Sequence, residues 1–265
     1  MRTEQPERKG MRVLAVANQK GGVGKSTFGV HIAFRAAEQG YKVLLVDVDE
    51  GDISEVFPEV EEDDETPYLK SSQLFSGELD GQKPREVYEG ISLIEADVEI
   101  LDVDDMPLDV IMGLRESLTK FAADYDLCII DTPPNLQRRM LGALTAADGV
   151  VTPFDISPFS LARMPKLLAT VAGVQGEYNP NLRHLGFVAN RVNSKSSNEV
   201  RALPELREAY GDMLFDEVVI ARACISTALA QGHPVWHRAR SGNQRLAAKE
   251  MRQACDEVLS RLGMN

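Results

Sequence analysis

The chain has 265 residues, 43% of them hydrophobic and 26% charged, with a formal net charge of −12. These proportions belong to an ordinary globular protein and exclude a disordered or fibrous chain, and no apolar run approaches the roughly 20 residues that span a bilayer. The polar start Met1-Arg2-Thr3-Glu4-Gln5-Pro6 has no secretory h-region, and three scattered cysteines (Cys128, Cys224, Cys255) exclude a disulfide framework or thiolate cluster and fit a reducing cytoplasm.

In chain order, residues 1–10 read as a flexible start and 11–265 as one domain. The run Val13–Ala17 predicts a strand, and a helix follows over 26–39. Further strands are predicted at Val43–Val46, Ile91–Ile94, Leu127–Ile130, Gly149–Val151 and Leu185–Ala189. Helices are predicted at 107–123, 138–147, 159–175 and 199–210. A last helix over Asn243–Leu262 carries Leu246, Met251, Ala254, Val258 and Leu262 as a core-facing stripe. Near-continuous apolar strands separated by helices predict an α/β fold: a single doubly wound, mostly parallel sheet flanked by helices.

Charge is unevenly spread. Between Asp47 and Asp109 there are 22 acidic and 3 basic residues, and Glu59–Glu65 reads as a solvated acidic loop. From Leu182 to Asn265 there are 12 basic and 9 acidic residues, which leaves room for a nucleic-acid surface on one face.

The residues that carry chemistry follow the strands, where ligands of such sheets bind. Lys20-Gly21-Gly22-Val23-Gly24-Lys25-Ser26-Thr27 lies between a strand and a helix. Glycines let successive backbone N–H groups face one concavity, and the helix N-terminus adds partial positive charge, which makes a cradle for phosphate. Lys25 is placed for the β- and γ-phosphates and Ser26 for Mg²⁺. Gln19 stands where the usual motif has its first glycine, and the extra Lys20 is costly beside Lys25 unless both face polyphosphate. The strand Leu127–Ile130 ends in Asp131, a carboxylate placed to hold Mg²⁺ through water. Val43–Val46 leads into Asp47-Val48-Asp49, two carboxylates at i and i+2 that point the same way.

On these motifs the chain resembles the ParA/MinD group of deviant-Walker P-loop ATPases, and most of all its ParA-type partition ATPases. The resemblance runs from about Arg12 to Leu262 and includes Ile130-Asp131-Thr132-Pro133-Pro134, Ala146-Ala147-Asp148, Gly186–Val192 and Gly232-His233-Pro234-Val235. It implies that Lys20 reaches the partner subunit's ATP across a dimer interface and that Lys25 and the backbone of Gly22 to Ser26 hold phosphate. Gly21, Gly22, Val23, Gly24, Lys25, Ser26 and Thr27 then form the nucleotide loop, with Thr27 at the α-phosphate. Asp49 would orient the attacking water, Asp47 support the Mg²⁺ shell and Asn190 read the adenine edge. The Thr132-Pro133-Pro134 turn would sense the γ-phosphate. The chain departs from the family after Asp49, where Glu50-Gly51 replaces the common Pro-Gln, so the loop there takes another path.

The resemblance further implies an ATP-sandwich homodimer that binds DNA non-specifically, positions plasmid, chromosome or other cargo, and hydrolyses ATP to ADP when a ParB-type partner stimulates it. Such a protein is cytoplasmic and nucleoid-associated. Candidate DNA contacts are Arg222, Arg238, Arg240, Arg245 and Lys249. The alternative is a MinD-like membrane-associated or other cargo-positioning ATPase. Its anchor would need a basic, bulky amphipathic tail, which Val258–Asn265 does not supply, so no stable membrane association is expected. The strand of the phosphate loop starts near Arg12, so an N-terminal helix-turn-helix arm is not expected.

Overall fold

The computed structural model describes residues 10–51, 53–57 and 67–264. Residues 1–9 and the acidic run Glu59–Glu65 lie outside the described residues. The strands are β1 Arg12–Val16, β2 Val43–Asp47, β3 Arg85–Tyr88, β4 Ile91–Ile94, β5 Leu127–Asp131, β6 Gly149–Phe154, β7 Arg183–Val192 and β8 Leu214–Ile220. The helices are α1 Lys25–Glu38, α2 Ser71–Ser76, α3 Val110–Thr119, α4 Arg138–Ala146, α5 Pro158–Leu161, α6 Met164–Glu177, α7 Ser197–Tyr210, α8 Ala223–Leu229 and α9 Gly242–Leu262.

The eight strands form one sheet in the order β3-β4-β2-β5-β1-β6-β7-β8, with only β3 antiparallel to its neighbour. This is the doubly wound architecture that the alternation of apolar runs and helices predicts. Alternate residues of each central strand face opposite layers. Leu14, Val16, Leu45 and Ile129 pack with α1 and α9, whereas Val13, Ala15, Leu44, Val46 and Ile130 pack with the α2–α4 side. A third cluster around Phe154, Phe187 and Leu206 fills the β7–β8 end.

Several elements go beyond or against the sequence expectation, the short helices α2 and α8 among the additions. β3 is a short edge strand joined to β4 through Glu89-Gly90, and β8 is the opposite edge. The helix expected over 159–175 is two, α5 and α6, because Pro165 sits in the first turn of α6 and cannot donate a bond back into α5. The stripe expected on α9 is correct at Met251, Ala254, Val258 and Leu262, all buried, but Leu246 is 54% exposed and faces solvent. Cys255 takes part in that stripe instead, and burial pushes its thiol well above the usual range.

Candidate active site

Register sets the site. β1 lies between β5 and β6, with Val16 opposite Asp131, and Asp131 is opposite Asp47 on β2. Two carboxylates on neighbouring parallel strands are therefore at one level, at the C-terminal edge where β1 runs into the glycine loop.

That loop is held from several sides. Gly24 caps α1 in the left-handed conformation (φ 87°), and a Cβ there would fall 2.6 Å from the Asn190 amide nitrogen, so only glycine fits. Asn190, buried at the end of β7, donates to the Val23 carbonyl at 2.8 Å, and Arg191 donates to the Gly22 carbonyl at 2.6 Å. Asn18 donates to Pro153 O at 2.8 Å and accepts from Lys20 N at 3.0 Å, while Thr132 Oγ1 donates to Val16 O at 3.0 Å. With its carbonyls occupied, the loop keeps its N–H groups for a ligand.

The cleft above it, about 560 Å³, is lined by Gly21, Gly22, Gly24 to Thr27, Asp49, Glu50, Glu55, Pro134 and Arg191. A second hollow of about 360 Å³ shares Gly24, Thr27 and Arg191 with it and continues past Asn190 to Arg222 and Ile225. One compartment is polar and lies on the phosphate loop, and the other is flanked by apolar side chains, so the pair suits a nucleotide's phosphates and base.

Within the cleft Lys25, only 6% exposed, stands 3.9 Å from Asp49 Oδ2. Both Asp131 oxygens are buried without a hydrogen-bond partner of good geometry, although the Ser26 hydroxyl lies beside them. Burial and the neighbouring Asp47 carboxylate push the Asp131 carboxyl up to about 8, against the pull of Ser26 and Lys25. Orphaned carboxylate oxygens next to a hydroxyl at a phosphate loop fit a divalent cation. Mg²⁺ keeps much of its water and binds through one or two carboxylates together with phosphate, so this donor set fits it. Asp47 uses Oδ1 on Asp49 N (2.9 Å) and Oδ2 on Ile53 N (3.2 Å), which makes it the anchor of the Asp49 loop.

Lys20 lies at the mouth of the loop, its ammonium bonded to both oxygens of Asp155 and to Ser157 Oγ. Of the five basic residues put forward for DNA, Arg238, Arg240, Arg245 and Lys249 are exposed on the loop before α9 and on its first turns. Arg222 stands apart from them: it is 10% exposed, forms a two-pronged pair with Glu250 and donates to Asn243 at 2.9 Å. Its guanidinium is engaged beside the nucleotide hollow, which counts against a DNA contact there. Asp155, Arg139 and Arg191 had no assigned role in the sequence. Asp155 carried a usable signal, an acidic residue just past a strand end, as at Asp131.

Strand, glycine loop, helix and paired carboxylates at the switch edge of a parallel sheet define a P-loop nucleotidase. A family model described as an AAA domain matches residues 11–184. The chain is 32% identical over 257 residues to Protein IncC of Escherichia coli, covering 95% of this chain and 70% of that one. It is 30% identical to the chromosome partitioning protein ParA of Caulobacter vibrioides (85% and 86% covered) and 29% identical to the chromosome-partitioning ATPase Soj of Thermus thermophilus (95% and 97%). The chain belongs to the ParA/MinD-type partition ATPases and is a P-loop ATPase. Among solved structures, cobyrinic acid a,c-diamide synthase from Mycobacterium smegmatis, with bound ATP analogue and magnesium, superposes with a TM-score of 0.77 at 26% identity, covering 96% of each chain. The septum site-determining protein MinD of Pyrococcus horikoshii, at 22% identity and TM-score 0.72 over 94% and 96% of the chains, shares the fold.

Proposed function

We propose that this ATPase works as a nucleotide-timed dimer that binds DNA without regard to sequence and positions a plasmid, chromosome or other cargo. A ParB-type protein stimulates its hydrolysis. The observation that carries the reading is Lys20: a second cation at the lip of the phosphate cleft, 24% exposed, beside a loop that already has its own Lys25. A triphosphate in one subunit offers negative charge to the Lys20 of another, so ATP favours association. Two subunits then pool the cations Arg238, Arg240, Arg245 and Lys249, and affinity for a polyanion rises steeply with each phosphate neutralised.

In the catalytic step the loop N–H groups and Lys25 hold the β- and γ-phosphates, and Asp49 orients and accepts a proton from the attacking water. Ser26 and Asp131 would hold Mg²⁺, which neutralises phosphate charge when bound. Asp47 supports the cation's water shell and fixes the Asp49 loop.

The relatives named for chromosome partitioning support this reading. So does α9, whose apolar stripe is spent in the core, leaving no broad apolar face for lipid. No helix among the described residues is long and apolar enough to cross a membrane. The test is fluorescence anisotropy with generic duplex DNA at 50–200 mM salt. Binding is expected with a non-hydrolysable ATP analogue, weakening with salt, and lost by about tenfold or more when Arg238, Arg240, Arg245 and Lys249 are all replaced by Glu. Equal binding without nucleotide, or none at low salt, removes the proposal.

A further inference from the structure

Arg139, the second residue of α4, is 4% exposed. Its backbone N–H and Nε donate to the two oxygens of Asp104 at 3.0 and 2.8 Å, and Nη1 donates to the carbonyls of Val48 (3.1 Å) and Asp49 (3.4 Å). Asp104 is itself 5% exposed, in the 3-10 segment Val98–Asp105. The pair thus joins three stretches of chain: the segment before α3, the start of α4 just after the Thr132-Pro133-Pro134 turn, and the loop after β2.

Those two carbonyls belong to the peptide groups on either side of the Asp49 Cα. The N–H of the first of those peptides is held by Asp47 Oδ1 at 2.9 Å. With both flanking peptide planes tied down, the backbone dihedrals of Asp49 are fixed, and with them the direction of its side chain. Little else in the local sequence would fix them. Glu50-Gly51 has no proline, and Gly51 adopts φ +99°, a conformation open to glycine, with its carbonyl held by Ser54 Oγ at 2.7 Å.

We propose that Arg139, oriented by Asp104, is a positioning residue for ATP hydrolysis. It braces the Asp49 loop against the start of α4, so that the Asp49 carboxylate is pre-aimed into the cleft beside Lys25. This rests on the reading of Asp49 as the group that orients water. A misplacement of about 1 Å at such a group costs on the order of 10²-fold in rate, whereas nucleotide binding depends on the glycine loop and Lys25, which Arg139 does not touch. A brace of this kind acts on kcat and leaves affinity alone.

The test compares phosphate release and ATP-analogue binding in the full-length protein. Replacing one member strands a buried charge, so the working variant is Arg139→Met with Asp104→Leu, which removes the pair together and keeps the volume apolar. Its far-ultraviolet circular dichroism and melting curve certify the fold. The expected result is analogue affinity within about threefold of the parent and kcat lowered 10- to 100-fold with KM little changed. Arg139→Lys, able to reach one carbonyl, recovers part of the rate. In an Asp49→Ala background the Arg139 and Asp104 changes should lower kcat no further, a non-additivity that a purely structural pair would not produce. A folded double variant with kcat within twofold of the parent overturns the brace. Full turnover by Asp49→Asn overturns the reading of Asp49 instead, and the brace with it.

Discussion

Lys20 is bonded within its own subunit: its ammonium lies 2.8 and 2.6 Å from the two oxygens of Asp155 and 3.0 Å from Ser157 Oγ. Asp155 also receives Ser160 Oγ, and Ser157 caps α5. Burial alone would raise the Asp155 carboxyl, but Lys20 and the two serine hydroxyls outweigh it and hold it below its ordinary value. The lysine proposed to serve a second subunit therefore has a competing partner at home, and ATP-driven dimerisation must break that pair. With both side chains partly exposed, the pair contributes about 1 kcal/mol at most, a factor of about five in an equilibrium. Asp155→Asn should accordingly dimerise at several-fold lower protein concentration with ATP analogue, while Lys20→Ala should stay monomeric. Mass photometry across a concentration series decides it, and identical curves for Asp155→Asn and the parent would deny the competition.

Asp49→Ala should separate binding from chemistry. Removing the carboxylate that orients water is expected to lower turnover by about 10² or more. The same change removes the negative partner 3.9 Å from the buried Lys25 ammonium, so the phosphates meet a less neutralised cation. Analogue affinity should hold or rise a few-fold, measured by calorimetry alongside phosphate release. A variant that loses ATP binding would mean that Asp49 shapes the loop rather than the reaction.

The parts of this structure that local sequence could state are those in which local forces dominate. Leu127–Asp131 is apolar at every position but the last, and it is a fully buried central strand ending in a carboxylate. The glycine loop needed no tertiary information, because its strand, turn and helix are contiguous. Edge strands are different: in β8 the adjacent Asp216 and Glu217 interrupt the apolar run, because one flank faces solvent. Pairings across long separations left no local trace. Lys20 and Asp155 are 135 residues apart and Arg139 and Asp49 are 90 apart, so neither pairing shows in the sequence around either partner. The pairing of Arg222 is hidden for the same reason, since nothing near it in sequence announces Glu250.

Trp236, the one tryptophan, should report nucleotide binding. Its ring lies 5.5 Å from that of His31 at 62°, its Nε1 donates to Glu38 at 2.5 Å, and Arg252 stacks over it at 5.2 Å. Val235 N donates to His31 Nε2 at 3.1 Å, so the other nitrogen, Nδ1, carries the proton and donates to Thr27 O at 2.7 Å. Thr27 lines both compartments of the cleft, and a single imidazole links it to the tryptophan loop. ATP should change the emission intensity or wavelength of the parent, and Lys25→Ala should abolish that change. His31→Leu should blunt it with binding retained, at a stability cost of about 1–3 kcal/mol for the stranded Val235 N–H. An unchanged spectrum at saturating ATP would leave the linkage without function.

Two histidines should make stability fall in mild acid. Burial lowers His31 from 6.5 to about 4 despite its bond to Thr27, and burial lowers His184 to about 4 as well. The unfolded chain takes up these protons near pH 6.5, while the folded chain declines them until about pH 4. Between those values the unfolded state holds more protons at these two sites, so their contribution to stability is complete above about pH 6.5 and is lost as pH falls toward 4, whereas Asp131, raised to about 8, works the other way because the folded state takes up its proton first. The cost reaches roughly 3 kcal/mol for His31 and less for His184, whose ring keeps some exposure. His184 shares a hydrogen bond with Thr152 Oγ1 at 3.1 Å and its ring lies 4.6 Å from that of Phe187 at a 49° tilt, so His184→Phe can fill the site without a titrating group. Urea denaturation at pH 7.0, 6.0 and 5.0 should give His184→Phe an unfolding free energy that falls less with acid than the parent's. Asp131 contributes alike to both proteins and cancels in that comparison, so parallel profiles for the parent and His184→Phe would mean that His184 gains its proton in the folded state as readily as in the unfolded chain.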